Sequence, residues 1–228
     1  MVDSVIICIG TVGSPTFDKC RRKIKFIEQN NPLVIETVVI KDYAPQAAWL
    51  NQMRVEAKKA KWCLQVDEDM YLKEEALSKL LSFGRQIEVK GKRILNVSSL
   101  LYDLFLKQNV GSLKLWNSEA LQNIEFRDVM GGDRDFAKRA KKLGFSNFSI
   151  DLVLGEHDSA PDAGIAFSKY YEYTQKIRKF KGEASARAFS DSLKKKWEKD
   201  GCYISKKAYD GSKHGLANKV KDKSKRSV

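Results

Sequence analysis

Two carboxylates at the end of an apolar run are the groups in this chain best suited to chemistry. Residues 62–66, Trp-Cys-Leu-Gln-Val, read as a buried strand that stops abruptly at Asp67-Glu68-Asp69-Met70. Alternate residues of an extended segment point the same way, so Asp67 and Asp69 can converge on one point. Two hard oxygen ligands with room for phosphate oxygens are what a Mg²⁺ or Mn²⁺ diphosphate site requires. The same acids also suit a plain turn that caps the next helix.

The elements around them alternate between the strand and helix periods. Residues 5–9 are a short β-branched run ending in Gly10-Thr11-Val12-Gly13, a strand followed by a glycine-permitted loop. Residues 18–28 place Cys20, Ile24 and Ile27 on one helical face, and Asn30-Asn31-Pro32 stops that helix. Further along, a strand is predicted over 35–40, a helix over 47–60, the strand at 62–66, and a helix over 72–83 with acids at its start. This order predicts an α/β fold whose mainly parallel sheet is covered by helices. Ligands of such sheets bind at the carboxyl ends of the strands, where Asp67 and Asp69 stand. The second half is more mixed. Strands are predicted over 93–98, 113–116 and 148–154, and helices over 133–143, 167–180 and 184–199.

The 228 residues, 43% of them hydrophobic, suffice for one sizeable core with a terminal extension. No apolar run approaches the ~20 residues a membrane-spanning helix needs. The first residues lack a basic stretch and read as a strand, not as a signal peptide. Cys8, Cys20, Cys63 and Cys202 form no Cys-x-x-Cys pair, which fits free thiols in a reducing, cytoplasmic setting. The net charge is +13, from 42 basic and 29 acidic residues. That excess favours an anionic partner: a nucleotide diphosphate, a lipid headgroup or nucleic acid. Basic residues gather at 194–199, 205–207 and 219–226, the last run reading as a mobile tail.

From Leu50-Asn51-Gln52 through Ala60-Lys61-Trp62 into Val66-Asp67-Glu68-Asp69, the chain resembles the family 2 glycosyltransferases, in which a helix leads into a strand ending in Asp-x-Asp. Gly131-Gly132-Asp133-Arg134-Asp135-Phe136, followed by Gly144-Phe145, is similar to that family's acidic helix start, and a strand and His157 come next. The resemblance implies a GT-A, Rossmann-like fold. It also implies an enzyme that moves a sugar from a UDP- or GDP-sugar to an acceptor hydroxyl, inverting the sugar carbon, with Mn²⁺ or Mg²⁺. Residue by residue, Asp69 would bind the metal on the donor diphosphate, with Asp67 nearer the nucleoside and Glu68 beside it. His157 would be a further metal ligand, and Asp133 the general base. Thr11, Val12 and Gly13, with Asp42 after the second strand, would hold the nucleoside. The chemistry is coherent on its own terms, because a sugar hydroxyl is a poor nucleophile until a carboxylate accepts its proton.

The chain departs from that family twice. Gly132 stands where the family carries a Glu before the base. Gln175-Lys176-Ile177-Arg178-Lys179 sits where processive members carry Gln-x-x-Arg-Trp, yet Lys179 replaces the Trp and no spanning helix follows. Single transfer is therefore expected, with Arg178 on a solvated helix face. The expected division is a catalytic domain over 1–165 and a helical, basic C-terminal extension over 166–228. The acceptor stays open. It could be a glycan, a lipid-linked sugar reached by peripheral contact of residues 170–181 with an anionic membrane, or a nucleic acid with a hydroxylated base. Two other classes stay open as well. A nucleotidyltransferase usually carries an Arg and a Lys around its first loop, and Gly10-Thr11-Val12-Gly13-Ser14 has neither. A non-enzymatic nucleic-acid-binding protein would explain the charge but leave Asp67, Asp69, Asp133 and His157 without a purpose.

Overall fold

The computed structural model describes residues 3–43, 45–129 and 131–219. The tail read from the sequence lies, beyond Lys219, outside them. The chain divides into two compact units, Met1–Asp158 and Ser159–Val228.

In the first unit the elements run β1 (Val5–Thr11), α1 (Phe17–Asn30), β2 (Val34–Lys41), α2 (Gln46–Ala57), β3 (Trp62–Asp67), β4 (Met70–Leu72), α3 (Ala76–Val89), β5 (Ile94–Asp103), β6 (Gln108–Asn117), α4 (Ser118–Gln122), α5 (Gly132–Lys141) and β7 (Ser146–His157). The seven strands form one sheet in the order β2-β1-β3-β6-β5-β7-β4. β1 pairs in parallel with β2 and β3, and β5 with β7, while β6 runs against β3 and β5, and β4 against β7. Five strands thus point one way, and the sheet is mixed but mainly parallel. Their carboxyl ends are Thr11, Lys41, Asp67, Asp103 and His157. Topology alone therefore gathers most of the chemistry-bearing residues on one rim.

β1 is apolar from Val5 to Ile9 because both of its faces are covered. Val5, Ile7 and Ile9 pack with Cys20, Ile24 and Ile27 of α1 and with Leu77 and Leu80 of α3. Ile6 and Cys8 face Trp49, Leu50 and Met53 of α2 and Phe136 of α5. Each such fully buried side chain contributes about 1.5–3 kcal/mol, so a one-residue slip of this strand is strongly disfavoured.

One predicted element is corrected. Residues 72–83 do not form a single helix: Met70–Leu72 is strand β4, and α3 begins only at Ala76. β4 pairs with β7 through Met70↔His157, Tyr71↔Glu156 and Leu72↔Gly155. The close approach needs a glycine, since a Cβ at Gly155 would lie 2.8 Å from the Tyr71 carbonyl oxygen.

The second unit is three helices, α6 (Ala163–Lys181), α7 (Glu183–Asp200) and α8 (Tyr203–Ala217). α8 was not anticipated from the sequence. Its buried positions are Ser205, Ala208, Gly211, Ser212 and Gly215, which carry no large apolar stripe. They serve instead for close backbone packing on α6, where a Cβ at Gly211 would lie 2.2 Å from the Phe167 carbonyl oxygen. Arg178 is also corrected. It donates from Nη1 to the carbonyls of Gly215 (2.8 Å) and Asn218 (2.6 Å), and Gln175 Nε2 donates to the same two oxygens. Both side chains close the carboxyl end of α8, whose last carbonyls lack helical partners. No described helix is long and apolar enough to cross a membrane.

Candidate active site

The rim is built outward from β3. Its last residue, Asp67, stands opposite Gly10 of β1, so the acidic turn and the loop after β1 leave the sheet side by side. The Glu68 carboxylate locks the two together. It accepts hydrogen bonds from the Thr11 hydroxyl, from Val12 N–H at 3.2 Å and from Ser14 N–H at 2.9 Å. Gly13 takes a positive φ of 83° within that loop and donates its N–H to Thr11 Oγ1 at 2.9 Å. Val12 is left 73% exposed at the loop tip. Asp42 lies next to this loop, donating its N–H to the Thr11 carbonyl at 3.1 Å, and it too is left-handed, with φ 59°. Aspartate is among the side chains that tolerate this left-handed region best.

Asp69 follows the turn and is carried toward β7 by the β4 ladder. Its backbone carbonyl accepts Asp158 N–H at 2.7 Å. Its carboxylate lies 3.2 Å from His157 Nε2. On the other side of the ring, His157 Nδ1 lies 2.8 Å from the carboxylate of Asp103, a residue only 1% exposed. Two ligands at right angles on an ion with bonds of ~2.1 Å stand ~3.0 Å apart, so the Asp69–His157 spacing suits one divalent cation. An imidazole whose far nitrogen is held by a carboxylate is the usual support of a ligating histidine. Among the described residues no group of three or more His, Cys, Asp or Glu side chains is arranged to hold a metal. An ion held on a diphosphate needs few protein ligands, because phosphate oxygens and water complete its shell. The donor set present fits such an ion.

The rim is electrostatically negative. The Cys20 thiol beneath it is pushed up to about 12, first by burial and then by the charges of Asp69, Asp67 and Glu68.

Asp133 approaches from a different element. It opens α5, takes Arg134 N–H on Oδ1 at 3.0 Å, and receives Lys114 Nζ on Oδ2 at 2.9 Å. Lys114 lies on β6 opposite Gln65, two residues before Asp67 on β3. The lysine thus ties the α5 carboxylate to the sheet near the acidic turn. Burial acts to raise the Asp133 carboxyl, but the Lys114 charge and hydrogen bond, with the backbone N–H donors, hold it below its ordinary value. Its neighbour Asp135 pairs with Arg139 at 2.8 Å along the same helix.

No family profile and no curated protein sequence matches the chain. Solved structures do. A mannosyltransferase from Pyrobaculum calidifontis, solved with GDP-mannose and Mn²⁺, is similar over 93% of this chain and 74% of its own, with a TM-score of 0.56 and 12% identity. Glucosyl-3-phosphoglycerate synthase from Mycobacterium tuberculosis, solved with Mg²⁺ and UDP, is similar over 69% of this chain and 72% of its own, with a TM-score of 0.50 and 12% identity. The chain has the GT-A fold.

Within this GT-A fold, three features escaped sequence reading. Asp103 carried no motif, because its partner comes from a strand far along the chain. Lys114 carried no motif either, lying within the strand read over 113–116; in the structure it is a cation in a central strand with its side chain only 12% exposed. Glu68 was read as a donor contact, and its carboxylate is engaged in bracing the loop.

Proposed function

We propose that this protein is a metal-dependent glycosyltransferase that moves a sugar from a UDP- or GDP-sugar to an acceptor hydroxyl, with inversion and one transfer per encounter. The approach of Asp69 to His157 at the rim of a GT-A sheet carries this reading. The two solved relatives hold Mn²⁺ or Mg²⁺ with a GDP-sugar or UDP, which supports a divalent ion here. Asp69 and His157 would hold that ion, with Asp67 on its nucleoside side. When bound, it offsets negative charge growing on the leaving diphosphate.

The chain's own groups do the rest. The braced loop of Thr11, Val12 and Gly13, with Asp42 beside it, receives the nucleoside, and Glu68 acts through the shape of that loop. Asp133 accepts the acceptor's proton as its oxygen attacks the anomeric carbon, and Lys114 keeps the carboxylate ionised until then. One base and one displacement give inversion. Gln175 and Arg178 are committed to α8, which supports single transfer over processive synthesis.

For the acceptor, the second unit favours a glycan or lipid-linked sugar at an anionic membrane over nucleic acid. Residues 159–228 hold 18 basic and 8 acidic residues, most of the chain's excess charge. Of their arginines within the described residues, Arg178 is engaged on α8, and Arg187 pairs with Glu183 at 3.2 Å on the helix surface. Most of the cations that face solvent are lysines, and arginine is the side chain that reads nucleic acid best. Tyr170 and Ile177, read from the sequence as part of a membrane-facing helix, are buried. The basic aromatic surface lies instead on α7 and α8, where Lys206 and Lys213 sit over the stacked rings of Trp197 and Tyr209. Interfacial Trp and Tyr with lysines fit a headgroup layer.

A thermal-shift screen of UDP- and GDP-sugars with and without Mn²⁺ tests the donor reading, since a ligand of the folded state raises Tm by mass action. A metal-dependent rise with at least one nucleotide-sugar is expected; a flat response to all of them overturns it. Vesicle flotation against DNA retention, at low and high salt, tests the acceptor surface.

A further inference from the structure

Asp103 ends β5 with almost no exposure, and a buried carboxylate is tolerated only where its oxygens are satisfied. Its two oxygens are divided between two tasks. Oδ1 accepts the N–H groups of Phe105 (3.0 Å) and Leu106 (2.6 Å), which shapes the turn into β6. Oδ2 lies 2.8 Å from His157 Nδ1. The β5–β7 ladder sets Asp103 directly opposite His157, and Leu104 N–H donates to the His157 carbonyl at 3.0 Å, so both ends of the contact are held by backbone.

We infer that Asp103 is a positioning residue that places the proton of the neutral imidazole on Nδ1, leaving the Nε2 lone pair aimed at the position beside Asp69. A neutral histidine carries one N–H, and the nitrogen facing a buried carboxylate is the one that must donate. Asp69 faces Nε2 as well, but at 3.2 Å and 20% side-chain exposure against 2.8 Å and 2% for Asp103 at Nδ1, so the single proton belongs on Nδ1. The consequence for metal binding rests on the function proposed above; the consequence for the ring does not.

Asp103→Asn separates the two tasks. An asparagine keeps one carbonyl oxygen, which the two backbone donors of the turn retain, and it presents an amide where Oδ2 was. That amide cannot accept the Nδ1 proton. With His157 and His214 the only histidines, ring-nitrogen NMR of the metal-free full-length chain in a His214→Gln background, taken up in pH until the ring is neutral, reads the tautomer directly. The expected wild-type spectrum is the Nδ1–H form, shifting in Asp103→Asn toward Nε2–H. Mn²⁺ titration in the presence of UDP gives the second readout. Affinity should fall about 10–100-fold in Asp103→Asn, and the same substitution should have no further effect on a His157→Ala background. An Nε2–H wild type, an unchanged Mn²⁺ affinity in Asp103→Asn, or an equal loss on the His157→Ala background overturns the inference. If the tautomer shifts as expected but wild type binds no Mn²⁺, the metal reading falls and the hold of Asp103 on the ring stands. Asp103→Leu, which abandons both tasks, should lower Tm far more than Asp103→Asn; equal losses would mean that the asparagine has not kept the turn, and would also overturn it.

Discussion

Met70 and His157 face each other across the β4–β7 ladder, and that pairing brings the preceding residue, Asp69, to 3.2 Å from the imidazole. The candidate metal position is thus a product of strand register. A three-residue strand holds it, so the site is sensitive both to its ligands and to whatever lets β4 approach β7.

The ligand and the base should separate cleanly. Asp69→Asn is expected to lose the Mn²⁺-dependent thermal shift with nucleotide-sugar. Asp133→Asn should keep that shift while turnover falls about 10²–10⁴-fold. A full shift in Asp69→Asn would remove the ligand assignment.

Lys114 should set the acid limb of the pH profile. It opposes the effect of burial on Asp133 and leaves that carboxyl below its ordinary value. The base works ionised, so activity disappears as pH falls through its pKa. In Lys114→Met burial is opposed only by backbone donors, the pKa rises, and the acid limb of kcat/KM must move to higher pH. The stability linkage has the same origin: a depressed folded-state pKa stabilises the fold above the unfolded value, and this is lost as pH falls through the folded one. A limb that stays in place would show that another group titrates.

Glu68→Gln should act on the donor and not on the chemical step. It weakens a carboxylate that braces three groups of the β1 loop. A loss of ~1.4 kcal/mol in loop order corresponds to about a tenfold rise in donor KM, with kcat little changed. Steady-state kinetics at varied donor concentration would show a large kcat loss instead if Glu68 took part in catalysis.

Gly155→Ala should damage fold and site together. The added carbon meets the Tyr71 carbonyl and Leu72 backbone, a strain expected to cost about 1–3 kcal/mol. Denaturant unfolding measures that cost, and the Mn²⁺-dependent shift should weaken in parallel as β4 moves. Unchanged stability would mean that the ladder yields without penalty.

Arg178→Ala should destabilise without touching donor affinity. The variant frees carbonyls at the end of α8, a loss of about 1–3 kcal/mol for charged hydrogen bonds. A raised donor KM at unchanged stability would instead place Arg178 on the diphosphate.

Much of this molecule was legible because hydrophobic period and strand-end acids are local signals. The run Val5–Ile9, the stretch Trp62 to Asp69 and the helix face of Cys20, Ile24 and Ile27 each specify an element from nearest neighbours alone, and their alternation gives the α/β class. β4 was missed, and its last residue Leu72 was read into the helix that follows, because three residues carry too little period to compete with that helical pattern. α8 was missed because its packing depends on small residues, whose value appears only once another backbone lies against them.

By itself the sequence determined which acids could serve and on which edge of a sheet they had to stand, since strand direction and side-chain alternation follow from local backbone physics. Only the tertiary structure decided their partners. Asp69 with His157, Asp103 with the other side of that ring, Lys114 with Asp133, and Glu68 with the β1 loop are all contacts between separate elements. Their distances depend on register and on backbone approach at Gly155, which no local pattern encodes.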